Sequence, residues 1–344
     1  MKEIVGNRRV KVRNLSLSAV FGLQFNWVSM FMMEKNARIL IIGHETMIGN
    51  ALVSRLKTNG YTNLAYSSST DLLDQKEVLD LYTRERPKYV FLATAEEGGI
   101  AANMSRPADL IYKNLQMQTN LIHFAWKTGV KKLLLIASSC IYPRLSKQPI
   151  EEAYLLTGSL EPTNEAYAIA KIAGCKMCQA YNNQYGSNFI SVVPANIYGP
   201  GDNFDTTTSH VIPANIRKFH EAKANNKEVV IWGTGNPIRE FLYVDDFADA
   251  CVFLMENYNG NDIINVGTCE PVSIKELAFM IKELIQFDGK IIFDKTKPDG
   301  MPKKVLSAAK MTSLGWKPKI GLKEGLRKTY DWFKNYSVKP GSNL

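Results

Sequence analysis

The 344-residue chain is 45% hydrophobic and 22% charged, proportions of an ordinary globular enzyme with room for one large α/β unit or two modest domains sharing a core. Its formal net charge of +9 suits an anionic small ligand, and the absence of any basic block interleaved with aromatics argues against a nucleic-acid partner. Five cysteines, at 140, 175, 178, 251 and 269, are too scattered and odd in number for a secreted disulfide framework, so a cytoplasmic location is expected. Cys175 and Cys178 form a C-x-x-C with no second Cys or His pair beside it, which reads as a buried helix face, and no metal is expected.

In chain order, residues 1–37 read as an N-terminal extension. Five basic residues (Lys2, Arg8, Arg9, Lys11 and Arg13) precede an uncharged run from Asn14 to Met33. That outline suggests a membrane span or signal, but Ser16, Ser18, Gln24, Asn26 and Ser29 dilute it. Met30, Met32 and Met33 offer alternative starts just before the first strand. The favoured expectation is an over-long translation start, with a membrane anchor or an ordered extension as the alternatives.

The first strand is Arg38–Ile42, a short β-branched run that stops at Gly43. The loop Gly43-His44-Glu45-Thr46-Met47-Ile48-Gly49 opens a helix over Asn50–Asn59. Leu64–Tyr66 is a second strand and Gln75–Arg84 a helix, followed by strand Tyr89–Ala93. Helix Pro107–Thr128 then leads to strand Lys132–Ala137. Alternation at this spacing predicts a doubly wound parallel sheet, with a dinucleotide at the carboxyl ends of the strands. A first glycine permits the tight turn, the last permits close packing of helix on strand, and the helix N-terminus meets the phosphates. Thr46 stands where that pattern usually has a further glycine.

The end of the second strand, Tyr66-Ser67-Ser68-Ser69, lacks the acidic residue that commonly binds an NAD ribose. NADP is therefore favoured and NAD remains possible.

Ser138 ends the 132–137 strand, and Tyr167 and Lys171 lie four apart on one helix face. A cation beside a phenol favours the phenolate, so Lys171 is expected to lower the Tyr167 pKa and make it an acid–base. Ser138 can hydrogen-bond the carbonyl oxygen on which hydride chemistry acts. The pair with a serine-ended strand about thirty residues earlier, on a nucleotide fold, points to a nicotinamide-dependent oxidoreductase.

These residues resemble the extended short-chain dehydrogenase/reductase superfamily, and within it the GDP-L-fucose synthase family of 3,5-epimerase/4-reductases. The resemblance runs from about Arg38 to Phe333. It is carried by Ser138–Pro143, Glu161–Glu165 with Tyr167–Lys171, Asn196–Pro200, Asp202–Phe204, His210–Pro213, Trp232–Gly235, Arg239–Phe241 and Lys297–Gly300. It implies Ser138, Tyr167 and Lys171 as the reductase triad, and Cys140 with His210 as the groups exchanging protons at C3 and C5 of a 4-keto sugar. A C4 ketone acidifies both neighbouring carbons, and a thiolate–imidazole couple can supply base and acid. The loop 43–49, Ser67, Ser68, the segments Ile136-Ala137-Ser138-Ser139 and Pro194-Ala195-Asn196-Ile197, Lys171 and His210 are implied as the cofactor site. Lys218, Trp232, Arg239 and Asp299 are implied to contact the nucleotide-sugar, the cations at its diphosphate. A homodimer is implied as well.

Two departures bear on the cofactor. Bacterial members of the family usually read G-H-R-G where this chain has Gly43-His44-Glu45-Thr46, and basic residues after the second strand are replaced by serines. The substrate expected is GDP-4-keto-6-deoxymannose or a related GDP-sugar. The alternatives are a C4 reductase or epimerase of another GDP-4-keto sugar such as a heptose, and an inactive binding protein. The expected organisation is a dinucleotide-binding domain over 38–197, with returns to the main sheet at 239–266. A substrate lobe spans 198–238 and 267–336.

Overall fold

The structure is a computed structural model and describes residues 33–205 and 208–337. The expectations for the uncharged N-terminal run fall outside the described residues except at its last residue, Met33, which is buried in the main core.

Four buried apolar residues make the first strand, β1 (Ile39–Ile42), and helix α1 (Met47–Thr58) follows it directly. Then come β2 (Leu64–Tyr66), α2 (Gln75–Glu85), β3 (Tyr89–Leu92), α3 (Ile100–Ser105), α4 (Pro107–Lys127) and β4 (Lys132–Ile136). Helix α5 (Glu165–Tyr185) leads to β5 (Phe189–Pro194) and β6 (Asn196–Tyr198), then to α6 (Val211–Asn225) and β7 (Val229–Trp232). The remaining elements are β8 (Ile238–Tyr243), α7 (Val244–Asn257), β9 (Ile264–Val266), β10 (Pro271–Ser273), α8 (Ile274–Ile285), β11 (Ile291–Asp294), β12 (Lys303–Lys304), α9 (Ala309–Ser313) and α10 (Leu322–Ser337).

Six strands pair in the order β2-β1-β3-β4-β5-β9, every pair parallel. β1, β3, β4 and β5 are buried along their whole length, the mark of parallel strands covered by helices on both faces. The chain reverses direction across the sheet between β1 and β3, so a crevice opens at their carboxyl ends, where open α/β sheets bind ligands.

β8 departs from the expected return to the main sheet. It pairs instead with β6, β10 and β12 in a separate small sheet. Its alternation explains the misreading: Leu242 packs into the core of the large sheet, while Phe241 and Tyr243 belong to a second apolar cluster with Tyr198, Phe219 and Leu277. A strand buried on both faces looks the same in sequence whichever sheet it joins. α3 was not anticipated, because Gly98 and Gly99 mark a loop immediately before a helix of six residues.

Candidate active site

The loop after β1 is built for close approach to a phosphate. Gly43 has φ +81°, and a Cβ there would lie 2.8 Å from the Ala93 carbonyl oxygen. At Gly49 the constraint is space alone: a Cβ would sit 1.9 Å from the Gly43 oxygen. Thr46 takes the place of a glycine because its φ of −73° is ordinary, and its hydroxyl caps α1, accepting from Gly49 N at 3.0 Å and donating to Gly43 O at 2.8 Å. Helix geometry leaves the Met47 and Ile48 N–H groups without intrahelical partners, as anion binding requires.

The His44 ring stacks on Tyr66 with centroids 4.5 Å apart, and its Nδ1 lies 2.8 Å from the Glu45 carboxylate. That carboxylate is 67% exposed and therefore turned to solvent. Ser67 is buried with its hydroxyl accepting from Gly43 N at 3.4 Å, and Ser68 reaches His44 Nε2 at 3.5 Å. Ile136–Ser139 and Pro194–Ile197 lie at the carboxyl ends of the neighbouring strands β4 and β5. The loop, the hydroxyls and these two segments fit a dinucleotide.

Tyr167 and Lys171 are both buried on α5. The Lys171 Nζ donates to the Ile136 carbonyl at 3.0 Å and stands 5.8 Å from the centre of the Tyr167 ring. The expected lowering of the Tyr167 pKa is not what the structure gives. Burial pushes the phenol well above its ordinary range, the charges of Glu97 and Cys140 add to that, and only the hydrogen bond to Ser138 opposes it. Burial also lowers the Lys171 ammonium, against the pull of Glu97 and Cys175. At neutral pH Tyr167 therefore holds its proton, the state of a general acid.

Ser138 caps the 3-10 turn Ser139–Ile141 and so fixes Cys140, which is half-buried. Cys140 is within electrostatic reach of Tyr167, Arg239 and Lys304. His210 is exposed at the N-cap of α6, its side chain unused in capping. It lies within electrostatic reach of Asp202, whose carboxyl burial pushes up to about 6 and whose buried Oδ2 has no hydrogen-bond partner among the described residues. Asp202 also feels Glu97, which in turn faces Tyr167 and Lys171. Ser138, Cys140, Tyr167 and Lys171 thus lie about one another, and His210 is linked to them through Asp202 and Glu97.

Of the expected substrate contacts, Lys218 Nζ donates to Val230 O at 3.2 Å, and Lys297 lies 5.4 Å from the centre of the half-exposed Trp232 ring. Arg239 donates to the Ile238 carbonyl at 2.9 Å and the Asp299 carbonyl at 3.5 Å. The Asp299 carboxylate accepts from Thr234 N at 2.7 Å and from its hydroxyl at 2.8 Å, so it braces the Gly233–Gly235 turn. Sequence reasoning missed Glu97, Asn164 and Lys304. Lys304 is set beside Arg239 by the two-residue pairing of β12 with β8, and no local pattern announces so short a strand. Glu97 follows Glu96, whose carboxylate pairs with Arg106 and Lys113, and two adjacent acids read as solvated surface. Among the described residues no cluster of three or more His, Cys, Asp or Glu is arranged to hold a metal, and no helix is long and apolar enough to cross a membrane.

A parallel sheet with a glycine-turned phosphate loop and a buried Ser–Tyr–Lys set defines a class, and residues 39–267 match the model of the NAD dependent epimerase/dehydratase family, to which the chain belongs. Within that family it is similar to GDP-L-fucose synthase 1 of Arabidopsis thaliana, 54% identical over 305 residues, covering 88% of this chain and 94% of the relative. The GDP-L-fucose synthase of Escherichia coli K12 is 47% identical over 308 residues, 86% and 96% of the two chains. The chain therefore groups with the GDP-L-fucose synthases. Among solved structures, a GDP-mannoheptose C4 reductase from Campylobacter jejuni with NADP bound superposes with a TM-score of 0.80 at 40% identity, over 88% of this chain and 99% of that one.

Proposed function

We propose that the chain is an NADPH-dependent 3,5-epimerase/4-reductase of a GDP-4-keto-6-deoxy sugar. The observation that carries this reading is the convergence of Cys140 and, through Asp202 and Glu97, of His210 on the cleft that holds Ser138, Tyr167 and Lys171. A reductase alone needs only the last three.

The residues divide the work as follows. Gly43 to Gly49, with the free N–H groups of Met47 and Ile48, would hold the pyrophosphate; Ser67 and Ser68 would face the adenosine ribose. When bound, the reduced nicotinamide supplies hydride to C4. Cys140 as thiolate removes the C3 proton, which the adjacent ketone acidifies, and the electron pair moves into the C4 carbonyl as an enolate. His210 as imidazolium returns a proton to the opposite face, inverting that carbon; Cys140 then releases its proton and His210 regains one by exchange with water, and the restored pair repeats the exchange at C5. Tyr167 then donates its proton to the C4 oxygen, with Ser138 hydrogen-bonded to the same oxygen. Lys171, held by Ile136 O, keeps positive charge beneath the phenolate left behind. Arg239 and Lys218 would meet the diphosphate.

The division into a dinucleotide-binding sheet and a substrate lobe is supported by the two separate apolar clusters. A cytoplasmic setting is supported by five free cysteines. A homodimer is supported by the exposure of Tyr112 on α4 and of Ile169 and Tyr185 on α5. The likeness to a GDP-mannoheptose C4 reductase favours one second reading, reduction without epimerisation. Incubation with GDP-4-keto-6-deoxymannose and NADPH in heavy water separates the two. Deuterium at C3 and C5 together with nicotinamide oxidation is expected. Oxidation without deuterium would leave a reductase, and no change with either NADPH or NADH would overturn the substrate.

A further inference from the structure

Asparagine is among the strongest helix N-caps, because its side chain accepts a hydrogen bond from the first turn. Asn164 holds that position for α5, yet its side chain makes no capping bond. Its Nδ2 donates instead to the Cys140 sulfur, at 3.2 Å and 24 residues away in sequence. Its Oδ1 is buried and has no hydrogen-bond partner among the described residues. Two stabilising options are thus left unused: a cap, and a partner for a buried acceptor.

The surroundings fix this arrangement. Cys140 sits in the turn Ser139–Ile141, whose Cys140 N–H is taken by Ser138 Oγ at 3.3 Å. Asn164 ends the turn Pro162–Asn164, whose Thr163 N–H donates to the Glu161 carboxylate at 3.4 Å. Arg144 joins the two segments, its Nε 3.2 Å from the Glu161 carboxylate and its N–H on Ser159 O at 2.9 Å. The charged and titratable groups facing the sulfur are Tyr167 from α5, Arg239 from β8 and Lys304 from β12. Among these neighbours the Asn164 amide is the one that puts a directed donor on the sulfur.

We propose that Asn164 is a positioning residue for the epimerising thiol: Nδ2 holds the Cys140 thiolate in place, and Oδ1 receives a hydroxyl of the bound sugar. This rests on the proton-exchange role proposed above for Cys140. A hydrogen bond to a charged acceptor contributes enough that its loss costs about tenfold in the population of the charged form.

The test is alkylation of Cys140 by iodoacetamide in the cofactor-free protein, read by peptide mapping so that exposed Cys269 is counted separately. Asn164→Ala is expected to slow alkylation roughly tenfold at neutral pH, with the difference closing at high pH. Asn164→Asp keeps the size and shape of the side chain but places a carboxylate against the sulfur and is expected to slow alkylation further. Deuterium entry at C3 and C5 should fall in the same order, and KM for the nucleotide-sugar should rise in Asn164→Ala. Wild-type alkylation in both variants would overturn the role given to Asn164. Full deuterium exchange in Cys140→Ser would instead overturn the role given to Cys140, whatever Asn164 does.

Discussion

Replacing Gly49 by alanine tests where the cofactor is held. The new Cβ would meet the Gly43 oxygen at 1.9 Å, His44 Cα at 2.6 Å and Gly43 C at 2.7 Å, all backbone. Ordinary contact begins near 3.4 Å, so the turn must retreat by about 1.5 Å from the helix. Overpacking of this kind costs about 2 kcal/mol of stability. A retreat of that size also carries the phosphate loop out of register with the N–H groups of Met47 and Ile48. Losing two hydrogen bonds to an anion at about 1.5 kcal/mol each weakens NADPH binding by roughly 100-fold. Fluorescence titration of NADPH gives Kd, and a thermal melt gives the stability change. A variant that binds NADPH within threefold of the parent, at an unchanged melting midpoint, would show that the dinucleotide does not lie on this turn.

Further outcomes follow from individual side chains. Glu45→Arg exchanges an acid for a base at an exposed position beside the adenosine subsite and should raise the ratio of kcat/KM for NADPH over NADH by about fivefold, the modest figure reflecting solvent screening. An unchanged ratio would mean Glu45 does not face the 2′-phosphate. Asp202 is a carboxyl raised on folding to about 6, so its contribution to stability is fully present below its unfolded value near 3.9 and is lost as pH rises through 6. Asp202→Asn removes that titration, and its unfolding free energy relative to the parent should climb between pH 4 and pH 7, by on the order of 2 kcal/mol, as read by denaturant melts at each pH. A difference independent of pH would contradict the desolvated carboxylate, whose Oδ1 alone has a hydrogen bond, from Asn203 N, among the described residues.

Much of this was legible because parallel strands covered on both faces are largely apolar: Ile39–Ile42, Tyr89–Leu92 and the Leu133–Ile136 part of β4 stand out for that reason. The Tyr167–Lys171 spacing and the serine after β4 were equally local signals. What the sequence concealed depends on pairing over long distances. The sheet that β8 joins is decided by β6, β10 and β12, and Lys304 enters the site only through that pairing. The protonation of Tyr167 was misjudged because spacing says nothing of burial, nor that Lys171 is drawn to the Ile136 carbonyl. Thr46 looked like a defect in the phosphate loop; its hydroxyl replaces a missing cap. Asn164 went unremarked because its contact with the Cys140 sulfur spans 24 residues of sequence.

The central claim is that two chemistries share this cleft but use different proton-transfer groups, and Tyr167→Phe tests it most directly. The ring and its packing are retained, and only the acid is removed. With GDP-4-keto-6-deoxymannose and NADPH in heavy water, the variant should still load deuterium at C3 and C5 through Cys140 and His210. NADPH oxidation should fall by about 100-fold or more for want of a proton at the C4 oxygen. Loss of both deuterium entry and oxidation in a folded, NADPH-binding variant would contradict the separation, as would oxidation at the parent rate.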